Sequence, residues 1–285
     1  MDSLVSAAVQ RPIPNADASP RTRVVRGLED GTVELPVLPR VAQEVMLAAQ
    51  DPARGAADVA RHIERDPALC ATVLRSANSS IYGTTVEIVS ARQAVARLGM
   101  VEVASLAMTA AVRAAMTGSG SYQPQLGVWW RESLATGLFA KEIARTRRQA
   151  VDSAFLCGLL RQLGVPVVLR LLAGAKTTVS DTEMVALMTE FAVPAGLLLC
   201  DGWQMSPAVR ATVAQGSSAE TPSAFGEHVL TAQLAGTFAV AMSANTLDEA
   251  RAATPRSAAL NLYPEDLDRI VASGATIARS VESMV

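Results

Sequence analysis

The sequence predicts an all-α protein on three grounds. Half of the 285 residues are hydrophobic but only 4% are aromatic, and a core built mainly from Ala, Val and Leu favours closely packed helices over sheets. Apolar residues recur three and four positions apart along most of the chain, whereas its first half lacks alternating strand patterns of useful length. Asp-Pro pairs, at Asp51 and Asp66, then divide the chain into segments of helical length.

The N-terminal part is predicted to be a tail over residues 1–32 followed by a helical bundle over residues 33–118. Prolines and arginines crowd the tail, and this composition favours a mobile segment with at most a helical turn near Val24. In the bundle, Asp66 can accept hydrogen bonds as an N-cap and Pro67 suits the first helical position. The helices predicted here cover residues 39–50, 56–65, 67–78, 90–98 and 101–116.

The C-terminal part is predicted to be a second helical subdomain over residues 125–285. The stretch Gly118–Pro124 marks the boundary between the two parts, since glycine and proline interrupt helices. Acidic residues just after Pro264 mark the start of the last helix. The helices predicted beyond the boundary cover residues 126–146, 150–163, 165–174, 181–191, 194–203, 206–214, 222–243 and 265–282.

Charge and cysteine content exclude several classes of protein. A net charge of −2 provides no general attraction to nucleic acid or to an anionic membrane. Cys70, Cys157 and Cys200 have no metal-binding spacing and lie among apolar residues, which is typical of buried thiols in a reducing compartment. The first ten residues lack the pattern of a secretory signal, and polar residues interrupt every apolar run. These observations predict a cytoplasmic protein that does not span a membrane.

Short motifs follow one another in a fixed order along residues 33–245. They are Leu35-Pro-Val-Leu-Pro39, Ile63-Glu-Arg-Asp-Pro-Ala-Leu69, Leu74-Arg-Ser-Ala-Asn-Ser79, Tyr82-Gly83, Ser90, Ala94-Val-Ala-Arg-Leu-Gly99, Trp130, Ser133, Phe155-Leu-Cys-Gly-Leu-Leu160, Gly164 and Gly202-Trp203. In this order and spacing they resemble the HDOD family, and the specificity lies in the combination.

The resemblance implies an all-α fold in which a helical N-terminal bundle packs on a degenerate HD-type helical domain. It also implies a bacterial module that acts in signalling and regulation, in many members beside other signalling domains. We therefore expect a non-enzymatic regulator that binds another signalling protein or senses a small anionic, nucleotide-like molecule.

Residues expected in an active HD-type phosphohydrolase are missing. Such enzymes hold divalent metals with several His and Asp side chains, and the metal activates a water molecule. This chain has two histidines and no His-Asp dipeptide. Where active relatives place that dyad it has Arg161-Gln162, and Glu132 stands where an upstream histidine is expected. We therefore predict no catalytic residue, no bound metal and no cofactor, with a residual phosphohydrolase as the last alternative.

Glu132, Arg161 and Gln162 define the degenerate pocket that the resemblance implies. Two interpretations of it stay open. Glu132 and Arg161 could form a buried salt bridge that fills the vacated metal cavity, which we favour. Alternatively, Arg161 could bind an anion such as a phosphate.

A second polar cluster follows the helix that Asp66 begins. Asparagine can end a helix and glycine permits a sharp turn. We favour a cluster that pins its loop to the C-terminal half, with ligand contact as the alternative. Its members are Arg75, Asn78, Ser79, Tyr82 and Gly83.

Nucleic-acid recognition is the alternative function. The helices predicted at 56–65 and 67–78 could form a helix-turn-helix in which Arg61, Arg65 and Arg75 face phosphate. Acidic residues lie among these arginines and the chain is mildly acidic overall, so a nucleic-acid partner is not the preferred prediction.

Overall fold

The structure is a computed structural model that describes residues 19–30, 36, 38–79, 87–116, 121–173, 179–215, 224–252 and 254–284. Within these ranges the regular elements are helices and none is a strand, so the all-α prediction is confirmed. The elements are α1 (Pro20–Glu29), α2 (Arg40–Gln50), α3 (Ala56–Ile63), α4 (Pro67–Ala77), α5 (Ala91–Leu98), α6 (Met100–Met116), α7 (Gln123–Thr146), α8 (Val151–Leu160), α9 (Val165–Ala173), α10 (Asp181–Gly202), α11 (Pro207–Gln215), α12 (Gly226–Ser243), the 3₁₀ helix Glu249–Arg251, α13 (Pro255–Ala259), α14 (Pro264–Ala272) and α15 (Gly274–Met284).

Two hydrophobic cores organise these helices. The smaller core lies among α2 to α6 and contains the fully buried Val45, Val59 and Ile63. The larger core lies mainly among α7 to α15, where the rings of Phe139 and Phe238 stack with centroids 5.6 Å apart. Because α2 and α6 contribute side chains to both cores, the N-terminal bundle packs directly on the C-terminal helices.

Glycine allows α7 and α8 to approach each other closely. A Cβ atom on Gly158 would lie 2.7 Å from the carbonyl oxygen of Thr136 and 2.9 Å from the Cα atom of Gly137. No larger residue fits there unless a backbone moves. The helix that carries Glu132 and the helix that ends just before Arg161 are therefore held together by backbone contact.

The helix α4 begins with the predicted N-cap, Asp66, followed by Pro67. The backbone amides of Ala68 and Leu69 donate to Oδ1 of Asp66 at 3.0 and 3.1 Å, and Pro67 occupies the first helical position. These bonds satisfy amides that have no partner inside the helix. After α5, Gly99 has a φ of +88°, which suits glycine, and the chain bends by 111° into α6.

The predicted N-terminal tail is wrong for the stretch that forms α1. This helix packs on α9 and α10 and fully buries Val24. Arg21 pairs with Glu190 of α10, and its guanidinium lies 5.4 Å from the ring centroid of Phe191. The composition of residues 1–32 suggested that their arginines face solvent. Arg21 instead has an anionic and an aromatic partner on α10. Residues 1–18 lie outside the described residues.

Pro194 does not separate two helices as predicted. The stretches 181–191 and 194–203 belong to the single helix α10. A proline inside a helix removes one amide donor, which here would have bonded to the carbonyl of Glu190. Both residues lie on the exposed face of α10, where water can replace the missing donor. Packing of α10 against α9 and α11 offsets the remaining cost.

The last predicted helix, residues 265–282, is divided into α14 and α15 by a break at Ser273. Gly274 begins α15 in a tight place, since a Cβ atom there would lie 2.3 Å from Cδ2 of Leu247. The chain between α12 and α14 also contains α13 and the 3₁₀ helix. The sequence pattern did not predict these elements because five and three residues are too short to show a helical period.

Two described stretches are long and apolar enough to span a membrane by length and composition. They are Val151–Ala173 and Asp181–Gly202, each with a mean hydropathy of 1.6 over 18 residues. The fold buries 67% of the first window but only 33% of the second. Packing in the core accounts for the first stretch, whereas α10 keeps uncovered apolar residues. The absence of a membrane span stays a prediction.

Candidate functional site

A cleft of about 580 Å³ opens between α7, the turn after α8, α9 and α10. This size is typical of small-molecule sites. Val128 and Val185 are more than half exposed and stand at the rim, while the buried Trp129 and Leu169 form the floor. The described residues that line it are Pro124, Gln125, Val128, Trp129, Glu132, Arg161, Gln162, Val165, Leu169, Val185, Met188, Thr189, Ala192 and Val193.

The cleft brings together Glu132, Arg161 and Gln162, the three residues assigned to the degenerate pocket. Glu132 projects from the middle of α7. Because α8 ends at Leu160 and not at residue 163 as predicted, Arg161 and Gln162 lie in the turn that leads to α9. This position places a cation at the C-terminal end of a helix, where the helix dipole favours positive charge.

The guanidinium of Arg161 lies against the backbone of α12. A Cβ atom on Gly236 would lie 2.8 Å from Nη2 and 3.2 Å from Nε of Arg161, so glycine provides the room for this side chain. The Nε atom is buried and has no hydrogen-bond partner among the described residues. A buried donor without an acceptor costs about 1–3 kcal/mol. An acceptor supplied by a ligand would remove that cost.

The salt bridge that we favoured between Glu132 and Arg161 is wrong. Although the two groups attract each other, no nitrogen–oxygen contact of ion-pair length joins them within the described chain, because the guanidinium packs on α12. Burial raises the pKa of Glu132, and the attraction of Arg161 opposes this only in part. Burial lowers the pKa of Arg161, Glu132 opposes the change and the charge of Arg256 adds to it. Among the described residues, Arg161 therefore has no counter-ion within ion-pair distance.

Trp129 fixes the turn that carries Arg161. Its indole Nε1 donates a hydrogen bond to the carbonyl oxygen of Gln162 at 3.0 Å. One turn earlier on α7, Gln125 has a buried Oε1 atom without a partner in the part of the chain that the structure describes. An amide can offer a donor or an acceptor by rotating about its last bond. The cleft thus presents unused polar atoms on Gln125 and Arg161.

The apolar walls of the cleft were not predicted. Val185, Met188 and Val193 of α10 face Val165 of α9 across it. The sequence pattern of α10 indicates only a core helix, because most of its residues are apolar. One signal could have identified this wall. The apolar residues of α10 occupy more faces of the helix than the neighbouring helices can cover.

The polar cluster after α4 lies apart from the cleft. None of its described members lines the cleft. Arg75 is exposed and donates to Oγ1 of Thr72 in its own helix at 3.1 Å, and Ser79 is half-buried. Tyr82 and Gly83 lie outside the described residues.

Asn78 closes the connection between α4 and α5 within the N-terminal bundle. Its Nδ2 atom donates to the carbonyl oxygen of Ile88 at 2.8 Å, and the amide of Ile88 donates to Oδ1 of Asn78 at 2.8 Å. The same Nδ2 atom also donates to the carbonyl oxygen of Leu74 at 3.1 Å. The predicted attachment to the C-terminal half is therefore wrong for Asn78, whose hydrogen bonds within the described chain all stay inside the bundle.

We expect Asn78→Ala to lower the free energy of unfolding by about 1–2 kcal/mol, because it removes the paired bonds to Ile88 and the bond at the end of α4. Equilibrium unfolding in urea measures this change. Arg75→Ala, at an exposed position in the same helix, is the control and should change stability by less than about 0.5 kcal/mol. Equal midpoints for the wild type and Asn78→Ala would show that these bonds contribute nothing.

No group of three or more His, Cys, Asp and Glu side chains in the described ranges is placed to hold a metal ion. Asp58, His62 and Asp66 are four residues apart, a spacing that could in principle hold a metal, but each of the three has another partner. Asp58 pairs with Arg61, and Nδ1 of His62 lies 3.1 Å from Oε2 of Glu44. Asp66 caps α4.

In the possible helix-turn-helix of α3 and α4, two of the three candidate arginines pair with carboxylates. Arg61 pairs with Asp58, and Nη1 of Arg65 lies 2.8 Å from Oε2 of Glu44. Phosphate binding depends on cations that exchange counter-ions for phosphate, so carboxylates beside these arginines weaken such a surface. The geometry of α3 and α4 therefore disfavours nucleic-acid recognition.

Family comparison matches the greater part of the chain. A model of the HDOD domain matches residues 35–218. A protein of Treponema pallidum (strain Nichols), described only as uncharacterized, is 27% identical over 145 residues, which are 50% of this chain and 28% of that protein. The chain thus spans less than a third of the length of this curated relative.

Solved structures share the helical fold. An HDOD domain protein of unknown function from Geobacter sulfurreducens is 20% identical, with a TM-score of 0.74 and coverage of 93% of this chain and 98% of that one. A provisionally named metal-dependent phosphohydrolase from Shewanella amazonensis SB2B is 21% identical, with a TM-score of 0.70 and coverage of 92% and 97%. A provisionally named signal transduction protein from Marinobacter aquaeolei VT8 is 20% identical, with a TM-score of 0.66 and coverage of 96% and 67%.

Proposed function

The chain belongs to the HDOD family, and on that premise we propose that it is a signalling-associated regulatory module without catalytic activity. Its state depends on a small anionic molecule that binds at Arg161 in the cleft. Names given to proteins of the same fold, among them a signal transduction protein, support the link to signalling.

One observation carries the proposal, namely the environment of Arg161. The side chain is mostly buried, lies in a cleft of about 580 Å³ and has a buried Nε without a partner among the described residues. A guanidinium whose nearest carboxylate is not in contact attracts a ligand anion, and charge-assisted hydrogen bonds to it are among the stronger ones in proteins. Gly236, which has no Cβ, leaves the room in which the guanidinium lies against α12.

The composition of the cleft supports binding without catalysis. Metal-assisted hydrolysis needs imidazoles and carboxylates that hold the metal and a water molecule activated by it. The cleft offers Glu132 as its one carboxylate among the described lining residues, and the neighbouring positions hold the cation Arg161 and the neutral Gln162.

A ligand in this cleft would contact elements that lie on opposite sides of it. α10 forms one wall and α7 the other, with the turn after α8 between them. A molecule that binds one spacing of these helices better than another shifts the population toward that spacing. Such a shift is the physical basis that we propose for regulation.

Thermal unfolding tests the proposed function. We expect at least one anion from a panel of inorganic phosphate, nucleotides and carboxylates to raise the Tm of the wild type, because a ligand at about 100 times its Kd adds roughly 2.7 kcal/mol of stability. Arg161→Met should abolish this rise. Without ligand it should be at least as stable as the wild type, since it removes a buried donor that has no acceptor.

Arg131→Met is the matched control, because it removes the same charge from an exposed position of α7. It should keep the full response to anions. An equal response in Arg161→Met would refute a role for Arg161, and the lack of any anion response in the wild type would refute the sensor. Metal-dependent hydrolysis of phosphoesters by the purified protein would refute the absence of catalysis.

Recognition of another protein is the second candidate function. Leu47, Val89 and Val101 of the N-terminal bundle are large hydrophobic residues that are 68%, 70% and 45% exposed. Exposed apolar side chains are typical of protein interfaces when they form a patch. If the anion panel produces no shift, this bundle surface becomes the first place to search for a partner protein.

A further inference from the structure

We infer that the molecule bound in the cleft is an amphipathic monoanion, with a carboxylate-type head at Arg161 and an uncharged apolar body between α9 and α10. The inference rests on the proposed function and narrows its ligand from anions in general to one chemical class. It replaces the expectation of a nucleotide-like ligand.

The charge of the cleft suits a single negative group. Arg161 is the one cation and Glu132 the one carboxylate among the described lining residues. A nucleoside polyphosphate carries several negative charges, and proteins bind such groups with several cations, a bound Mg²⁺ or a loop of backbone amides. A second negative charge on the ligand would be repelled by Glu132, and Arg161 is the one cation among the described residues that line the cleft.

The walls suit a body without polar groups. Most of the wall consists of Val165 and Leu169 of α9 and of Val185, Met188 and Val193 of α10, none of which forms a hydrogen bond of ordinary strength. The hydroxyl of Thr189 on α10 already donates to the carbonyl oxygen of Val185 at 2.8 Å. A sugar or a nucleobase would bring donors and acceptors into this region, and burial without partners costs about 1–3 kcal/mol for each. A hydrocarbon chain or a flat ring gains from the same burial.

The head end suits a planar carboxylate. A guanidinium can donate two parallel hydrogen bonds to a carboxylate, and Gly236 allows the guanidinium of Arg161 to lie flat on α12. Gln125 and Gln162 also line the cleft, and their side-chain amides can donate further bonds.

Isothermal titration with four probes tests this inference. The probes are decanoate, which has head and body, decan-1-ol, which has the body alone, acetate, which has the head alone, and ATP with Mg²⁺. We expect one decanoate per chain and at least about tenfold weaker binding of the other three, as expected when a charge-assisted bond or the apolar contact is lost. Arg161→Met should weaken decanoate about tenfold or more, to the level of decan-1-ol.

Substitutions of Glu132 and of the apolar wall separate the contribution of the ligand's head to binding from that of its body. Glu132→Gln should tighten decanoate and acetate alike, since it removes a negative charge beside the head. Val185→Asp should weaken decanoate and leave acetate unchanged, because it places a charge on the apolar wall. Val240→Asp is its control on α12, since Val240 and Val185 are 53% and 54% exposed.

Three outcomes overturn the inference, and they differ in what they leave standing. Binding of phosphate or ATP that depends on Arg161, without binding of decanoate, would exclude the amphipathic class and keep the anion sensor. Equal binding of decanoate by the wild type and Arg161→Met, matched by decan-1-ol, would show apolar adsorption without a head group site. Failure of every probe, together with no response in the thermal panel, would remove both this ligand class and the sensor.

Discussion

Replacing Gly164 with alanine is expected to lower the free energy of unfolding by about 3 kcal/mol or more. A Cβ atom at this position would lie 1.9 Å from the carbonyl oxygen of Ala192 and 2.5 Å from the amide nitrogen of Gly196. Both atoms belong to the backbone of α10, so no side-chain rotation can relieve the clash. The start of α9 must instead move away from α10.

The position of Gly164 makes this effect relevant to the cleft. Gly164 is the last residue of the turn that carries Arg161 and Gln162, and α10 supplies one wall of the cleft. A separation of Gly164 from α10 would therefore change the distance between that wall and Arg161. Where Gly164→Ala still folds, we expect it to lose the response to anions as well as stability.

Urea and thermal unfolding measure the loss, which should lower the Tm by at least roughly 6 °C. Gly127→Ala is the matched control, since Gly127 lies inside α7 and a Cβ atom there meets nothing within 4 Å. Alanine should keep or raise stability at that site, by up to about 1 kcal/mol, because it reduces the entropy lost on helix formation. Equal stability of Gly164→Ala and Gly127→Ala would disprove the close approach of α9 and α10.

The helix ends that could be predicted from sequence are those that depend on neighbouring residues. Asp66 and Pro67 determine the start of α4 through bonds within three residues, so their pattern is visible in the chain itself. The helix α1 was missed because its stability depends on Glu190 and Phe191, which are far away in sequence. The amino-acid composition of a segment carries no information on distant partners. A prediction from composition therefore gave a tail.

The candidate site was predictable in its polar part and not in its shape. Order and spacing of motifs assigned Glu132, Arg161 and Gln162 to one pocket, and all three line the cleft. The predicted salt bridge between Glu132 and Arg161 was wrong, because the position of the guanidinium depends on Gly236. This residue of another helix leaves room for the guanidinium away from Glu132. The walls depend on how far α10 stands from α7, and periodicity carries no information on that distance.

Trp129→Ala is expected to cost about 3–5 kcal/mol, the range for removing a large buried aromatic side chain. The indole is only 5% exposed and forms the floor of the cleft. Its Nε1 donates to the carbonyl oxygen of Gln162 at 3.0 Å, so the substitution also removes the bond that holds the turn after α8. Both losses act on the same part of the fold.

Trp129→Phe separates the two contributions, because it keeps an aromatic ring and removes the donor. We expect it to cost about 1–2 kcal/mol, which is the lost hydrogen bond together with a smaller loss of buried area. The response to anions should weaken more than this loss of stability suggests, since the turn that positions Arg161 loses an anchor. Urea unfolding followed by circular dichroism measures stability without relying on the fluorescence of the substituted tryptophan.

The comparison of these variants decides whether Trp129 positions the site or only fills the core. If Trp129→Phe unfolds more easily but binds its anion with unchanged Kd, the indole nitrogen serves stability alone. If the Kd rises while the stability loss stays near that of one hydrogen bond, the bond to Gln162 positions Arg161. A cost below about 1 kcal/mol for Trp129→Ala would contradict the buried floor altogether, because a cavity of that size cannot form so cheaply in a packed core.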